Sequence, residues 1–255
     1  MLLEVRNLSV SYAGCQALSN VSLTVAEREI VGLCGPNKAG KSTLCKSLAG
    51  ATSQDGAEIL NGEILFDGKD VTCTPASRRL PLGISLCPEG RGIYPGMTVS
   101  DNLRLSCDGL SRGDRKARME ELLSYFPVLG ERLGQQAGTL SGGEAQMLGI
   151  ARRLLQRPRI LIVDEPSLGL APKAIDNTFK ALSKVRQDFG VSVLLVEEAI
   201  ARLSGRVDRA YVLHLGTVVA EGEMDQLIGS SAVADAFMGE VGADLVKAGS
   251  FVRRA

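Results

Sequence analysis

Apolar and polar positions alternate through the first 28 residues in the manner of strands. Leu3, Val5, Leu8 and Val10 mark one run, and Val21, Leu23 and Val25 mark another. Ser11-Tyr12-Ala13-Gly14 reads as the turn between them, and a third strand is expected over Glu63–Phe66, ending at Asp67-Gly68. These strands predict an antiparallel β-layer. Five apolar residues, Ile30 to Cys34, then form a run of core-strand length, with Leu44, Leu48 and Ala49 following at helical spacing. A short helix over 75–80 precedes a further core strand, Gly83–Cys87.

The pattern turns helical for about seventy residues. Thr98-Val99-Ser100-Asp101 has capping-box spacing, and Met119, Leu122, Leu123 and Phe126 mark one face of a helix beginning near Asp114. Leu140-Ser141-Gly142-Gly143-Glu144 opens a helix through Gln156. Core strands Ile160–Val163 and Val191–Val196 bracket a helix opened by Pro172, with the apolar face Ile175, Phe179, Leu182, Val185 and Phe189. Two short strands, Ala210–Leu215 and Thr217–Glu221, and a helical stretch ending near Gly239 complete the pattern. The fold class is therefore α/β, a core of alternating strands and helices with an N-terminal antiparallel layer and a helical insert.

A chain of 255 residues holds one large domain or two small ones. Twenty-nine basic residues balance twenty-nine acidic ones, and no long basic block occurs, which argues against a nucleic-acid binder. No apolar run reaches the length of a membrane span, and the opening MLLEVRNLSV lacks a signal-peptide layout. A cytosolic protein is expected, reaching a membrane only through a partner. Six scattered cysteines without a C-x-x-C read as small core or surface residues.

The chemistry is concentrated where strands end. Gly35-Pro36-Asn37-Lys38-Ala39-Gly40-Lys41-Ser42 fits G-x-x-x-x-G-K-[ST] between a strand and a helix, the context in which it cradles phosphate. Inward-facing amides and a helix N-terminus would hold the phosphates. Lys41 would reach the β- and γ-phosphates, and the Ser42 hydroxyl would ligate Mg²⁺. Asp164-Glu165 end another core strand, where neighbouring side chains point opposite ways. Asp164 would hold Mg²⁺, and Glu165 would orient and activate the attacking water. Glu89 follows a third strand end, where ligands of α/β proteins sit, or else is a solvated turn residue. Tyr12, about 23 residues before the loop, offers a ring to a purine base, although a turn tyrosine is more often plain packing.

The stretch Ser141-Gly142-Gly143-Glu144 has two readings. Serine and glutamate at that spacing make a capping box. The paired glycines weaken a first turn, and favour a second phosphate site built from a hydroxyl, bare amides and a dipole end.

Taken together, Tyr12, GPNKAGKST, PEG, LSGGE, ILIVDEP and Glu197-Glu198 resemble the ATPase subunits of ABC transporters over residues 2 to about 240. Pro88-Glu89-Gly90-Arg91, the run from Ser167 to Pro172, and Leu195-Val196-Glu197 are most similar to the ATPases of branched-chain amino acid importers. The resemblance implies an ATP hydrolase domain over 1–240, with a catalytic core of 1–87 and 158–240, a helical subdomain over 88–157, and a tail over 241–255. It implies ATP lying on Gly35–Thr43 of one subunit and covered by Ser141–Glu144 of a second. It also implies membrane permease subunits gripped by the helical subdomain, and a periplasmic or extracellular solute-binding protein in the same system. A heterodimer of ATPases is the expected pair, at the cytoplasmic face of the membrane.

Three positions depart from the family. Lys38 stands where glycine is usual, and a φ above zero there would cost lysine about 1 kcal/mol. Its ammonium could instead contact phosphate. Glu89 replaces glutamine but still offers Mg²⁺ an oxygen. Glu198 stands where a histidine or glutamine senses the γ-phosphate, and an ionised glutamate has no hydrogen to donate. At about 4 Å from a phosphate charge it would be disfavoured by roughly 4 kcal/mol at an effective dielectric near 20. Glu198 is therefore expected to turn away, bind a cation or take up a proton. Because of Lys38 and Glu198, a regulatory partner with impaired hydrolysis is the alternative function. His214, the one histidine, lies outside the motifs and reads as structural.

Overall fold

The computed structural model describes residues 1–52, 56–90, 92–107 and 110–238. Arg91, the helix end near Gly239 and the tail over 241–255 lie outside the described residues.

Strands β1 (Leu3–Tyr12) and β2 (Cys15–Val25) form a hairpin whose two-residue turn, Ala13-Gly14, has both φ values positive, at 47° and 82°. That twist matches paired strands. Tyr12 therefore belongs to β1 and not to the turn. The apolar spacing shifts parity between Val5 and Leu8, and the ladder has an irregularity there, at Asn7 with φ 48°. The extra residue keeps Leu3, Val5, Leu8 and Val10 all buried on one side. β4 (Ala57–Phe66) begins six residues before the expected strand, because Glu58, Leu60 and Asn61 leave its first half exposed and without apolar alternation. With β5 (Lys69–Asp70) these strands form an antiparallel sheet ordered β2-β1-β4-β5.

The second sheet has the order β10-β9-β3-β8-β7-β6. It contains β3 (Ile30–Cys34), β6 (Ile84–Cys87), β7 (Ile160–Asp164), β8 (Ser192–Glu197), β9 (Arg209–His214) and β10 (Thr217–Gly222). Neighbours pair in parallel except for β10, which turns back antiparallel at the edge. Parallel strands covered on both faces read as continuous apolar runs, as Ile160–Val163 and Val193–Val196 do. Ile160 and Ile162 face a core shared with the first sheet and with helix α1 (Lys41–Ala49). Leu161 and Val163 face a second core on the helical side.

Arg79 sits on α2 (Ala76–Leu82), is buried, and locks the far end of α1. Its Nη1 donates to the carbonyls of Ser47 and Leu48 at 2.7 Å each, its Nε to Thr74 at 2.7 Å and its Nη2 to Thr72 at 2.9 Å. The Ser47 and Leu48 carbonyls belong to the last turn of α1, groups that need outside donors. Burial pushes the guanidinium pKa down to about 10, so it remains a cation at neutral pH.

Among the described residues, the segment between β6 and β7 contains no strand but the helices α3 (Val99–Leu105), α4 (Arg112–Leu123), α5 (Pro127–Gly130) and α6 (Gly142–Leu154), with a short 3-10 turn at Ala137–Thr139 and one isolated bridge, Thr98 to Gln136. Thr98 and Ser111 cap the first two through the amides of Asp101 and Asp114. α4 therefore starts two residues before the position expected. Phe126 lies beyond its end, since Pro127 opens α5, yet it is buried in the same core. Among the described residues, the further helices are α7 (Pro172–Phe189), α8 (Met224–Ile228) and α9 (Ser231–Met238), with a 3-10 turn at Ile200–Arg202.

Candidate functional site

The loop Gly35–Gly40 leaves β3 and turns into α1, and the space around it dictates its glycines. A Cβ on Gly35 would lie 2.0 Å from the carbonyl oxygen of Leu213, and one on Gly40 would meet Leu18 Cδ2 at 2.7 Å and the Ala17 carbonyl at 2.9 Å. Gly40 also has φ 106° and supplies no side-chain cap, so the first amides of α1 are left for a ligand. The turn between β9 and β10 braces the loop from outside: the Gly216 amide donates to the Ala39 carbonyl at 2.9 Å. A pocket of about 600 Å³ lies over the loop, lined by Asn37, Lys38, Gly40, Lys41, Ser42, Thr43, Glu89 and Glu165, with Gln16, Ala17, Leu215 and Gly216 on its rim. The rim residues escaped sequence reasoning; the Leu215-Gly216 pair between two short strands was their only signal. A hollow of about 490 Å³ at the opposite end of the sheet, near Ser192, is where strands begin and carries none of these motifs.

Lys41 is 4 % exposed, and its ammonium is already occupied. Nζ donates to the carbonyls of Gly35 at 2.9 Å and Pro36 at 3.1 Å, and it lies 3.2 Å from Glu165 Oε1. Lys38 has φ 64° and is exposed at the rim, so the conformational cost foreseen for a side chain there applies. Lys38→Gly is expected to stabilise the fold by up to about 1 kcal/mol. Because Lys38 lines the pocket, the substitution also removes a positive charge from it and should weaken binding of a phosphate ligand such as ATP severalfold. Thermal unfolding and a nucleotide titration check both.

Asp164 ends β7 and is 4 % exposed. Its Oδ1 has no hydrogen-bond partner among the described residues. Burial raises its pKa to about 6, and the nearby charges of Glu165 and Glu89 add to the rise, against the Ser42 hydroxyl bond and Lys41. An orphaned carboxylate oxygen beside a hydroxyl, with a further carboxylate close by, fits a hard divalent cation such as Mg²⁺. The folded value lies above the ordinary 3.8. The metal-free fold therefore binds a proton across about pH 4 to 6 that the unfolded chain has lost. The penalty for ionising Asp164 is absent below that window and complete above it, at about 3 kcal/mol. Asp164→Asn should accordingly raise the melting midpoint at pH 7.5 in chelator without nucleotide, and leave it unchanged near pH 3.5.

Glu165 follows in a left-handed conformation, φ 47°, with its amide on the Val196 carbonyl at 2.9 Å. That kink takes the chain out of β7 and brings the carboxylate against Lys41. β8 lies between β3 and β7, so its end separates the loop from the Asp164-Glu165 pair. Glu198, just past β8, accepts a hydrogen bond from Asn37 Nδ2 at 2.9 Å. Glu198 is thereby held across to the glycine loop by a neutral amide. Glu197 points elsewhere, is fully buried, and binds Ser167. Sequence reasoning assigned it no role. Burial raises its pKa, and the Ser167 and Arg202 contacts oppose the rise.

Ser141 caps α6 in a complete capping box. Glu144 N donates to Ser141 Oγ at 3.4 Å, Ser141 N donates to Glu144 Oε2 at 2.9 Å, and Arg132 pairs with Glu144 at 2.9 Å. The glycine argument from sequence needs amending for Gly143, whose Cβ would stand 2.7 Å from Ala174 Cβ on α7, so a close helix approach requires it. None of Ser141–Glu144 lines the pocket over Gly35–Thr43, and neither does Tyr12, which is half-buried at the end of β1. His214 ends β9, half-buried and outside the pocket lining. Cys34, Cys45, Cys87 and Cys107 are buried free thiols, while Cys15 and Cys73 are exposed.

Comparison with known proteins adds the family context. The family described as ABC transporter matches residues 18–168. The high-affinity branched-chain amino acid transport ATP-binding protein BraG of Pseudomonas aeruginosa is 39 % identical over 238 residues, covering 93 % of this chain and all of the relative. The lipopolysaccharide export system ATP-binding protein LptB of Haemophilus influenzae is 32 % identical, over 94 % of this chain and 98 % of its own. Among solved structures, the ADP conformation of an ATP-binding cassette of an ABC transporter superposes with a TM-score of 0.81 at 26 % identity, over 94 % of this chain and 99 % of that one.

Proposed function

Because this chain belongs to the ABC transporter family and is an ATP-hydrolysing subunit of that type, we propose that it powers import of a branched-chain or related amino acid. The observation that carries the proposal is that Lys41, Ser42 and Glu165 line one pocket, with the buried Asp164 bonded to Ser42, in a chain matching all of a branched-chain amino acid transport relative. Export relatives such as LptB are less similar, at 32 % against 39 %.

The triphosphate lies along Gly35–Thr43, its charge met by the open amides of α1 and by Lys41, which gives up carbonyl contacts to reach it. Ser42, Asp164 and Glu89 would hold Mg²⁺, which would neutralise charge on the phosphate oxygens. Glu165 orients a water in line with the γ-phosphorus and takes its proton, while Lys41 bears on the developing charge. The second ring of donors comes from Ser141–Glu144 of another subunit, because within one chain that segment lies off the pocket. ATP thereby joins two ATPase subunits, and hydrolysis releases them. A heterodimer of this chain with a related ATPase is the working pair, with Tyr12 under the base. The segment over 88–157 docks permease subunits at the cytoplasmic face of the membrane, and a solute-binding protein delivers the amino acid. Among the described residues, no helix is long and apolar enough to cross a membrane.

The test is steady-state ATPase activity of the chain reconstituted with its permease subunits. Turnover is expected to rise when a solute-binding protein loaded with a branched-chain amino acid is added, and a rate indifferent to that addition would count against import. The second reading, a partner that binds ATP and hydrolyses it slowly, is favoured by Glu198 held against Asn37. It predicts that Glu198→Gln or Glu198→His speeds turnover about tenfold or more by removing a charge beside phosphate. No gain from either substitution would dismiss it.

A further inference from the structure

Two consecutive carboxylates at the end of β8 serve two different loops. Successive residues of a strand point to opposite faces, so one of the pair can reach the glycine loop while the other reaches the loop leaving β7. Glu198 takes the first through Asn37. Glu197 takes the second: its Oε1 accepts from the Ser167 amide at 3.1 Å, and its Oε2 accepts from the Ser167 hydroxyl at 2.5 Å. Arg202 completes the arrangement, donating from Nη1 to Ser167 Oγ at 2.7 Å, with the same nitrogen 3.5 Å from Glu197 Oε2. The serine hydroxyl thus accepts one hydrogen bond and donates another, and Glu197 is 0 % exposed while Arg202 reaches the surface. A fully buried ion in contact with a partly exposed partner is costly as a stability device, and removing one partner strands the other. The arrangement therefore calls for a role other than stability.

Ser167 is two residues past Glu165. The chain kinks left-handed at Glu165 and then passes Pro166, so fixing Ser167 by both amide and hydroxyl leaves the Glu165 carboxylate little freedom. The Val196 carbonyl already holds the Glu165 amide, so the last residues of β8 grip this loop at two points. We propose that Glu197 is a positioning residue for hydrolysis, acting through Ser167 and Arg202 to hold the Glu165 carboxylate in register with the glycine loop. The inference rests on the reading of Glu165 as the group that activates water.

The experiment compares Glu197→Gln, Ser167→Ala, Ser167→Thr and Glu165→Gln in the whole chain, with Mg²⁺-ATP, reading kcat, KM for ATP and the melting midpoint. Glu197→Gln is expected to lower kcat about 10- to 100-fold, the effect of misplacing a reacting group by about an ångström, with KM unchanged within twofold. Ser167→Thr, which keeps both donors, should retain activity, whereas Ser167→Ala should lose part of it. The Glu197→Gln, Ser167→Ala double variant should be no slower than Glu197→Gln alone, since both act on one contact. Wild-type kcat in folded Glu197→Gln, or a raised KM at unchanged kcat, overturns the proposal. If Glu197→Gln fails to fold, Ser167→Ala decides by the same criteria. An inactive Glu165→Gln beside a fully active Glu197→Gln refutes this inference alone, while an active Glu165→Gln refutes the reading beneath it.

Discussion

Glu165→Gln is expected to lower ATP turnover by at least about 100-fold while leaving ATP binding intact or tighter. Proton abstraction by a positioned carboxylate contributes about 10²- to 10⁴-fold, and an amide of the same shape cannot take the proton. The surroundings localise the effect. The backbone kink at φ 47° and the Val196 contact do not depend on the side chain's charge, so the loop should keep its course. Lys41, 3.2 Å away, loses a carboxylate competitor and becomes freer to meet the triphosphate. Single-turnover hydrolysis together with nucleotide affinity separates the two quantities. Equal losses in both would mean that Glu165 belongs to binding and not to the chemical step.

Gly35→Ala is expected to produce the largest structural damage of any one-methyl change in the loop. A Cβ 2.0 Å from the Leu213 carbonyl oxygen meets backbone of β9, which is itself paired to β3, so no side-chain rotation relieves the clash. Either the loop or the strand must move by more than an ångström, at a cost of about 3 kcal/mol or more. Movement of the loop displaces the amides facing the phosphates, so ATP affinity should fall with stability. Gly96→Ala, with nothing within 4 Å of the added carbon, is the matched control and should alter neither. Thermal unfolding with and without Mg²⁺-ATP reads both effects, and a Gly35→Ala protein that binds ATP normally would show that the loop does not work as described.

What could be read from residues alone followed from how local the signal was. Ile30–Cys34 and the loop after it obey a fixed spacing that one strand, one turn and one helix satisfy together, and the structure places them as expected. The chain's own motifs also sufficed to identify the family. Contacts between distant segments left no such mark. Arg79 capping α1 from 31 and 32 residues away, Gly216 bracing Ala39, and Glu197 binding a serine 30 residues earlier are pairings that periodicity cannot reveal. The strand β4 was half missed because its first turns carry polar residues on an exposed sheet. Gly143 shows a second demand that spacing hides: a glycine read as serving phosphate also has a packing reason, visible only once α7 is in place.

The central claim is that ATP is clasped between two subunits and that its cleavage parts them. The observation behind it is that Ser141–Glu144, at the start of α6, do not line the pocket over Gly35–Thr43 of their own chain. Sedimentation of purified Glu165→Gln protein, alone and mixed with its partner ATPase, with and without Mg²⁺-ATP, tests it directly. The account predicts a dimer that forms only with ATP and is lost when Ser141 is replaced by Arg. A protein that stays monomeric in every mixture while ATP is bound would contradict it.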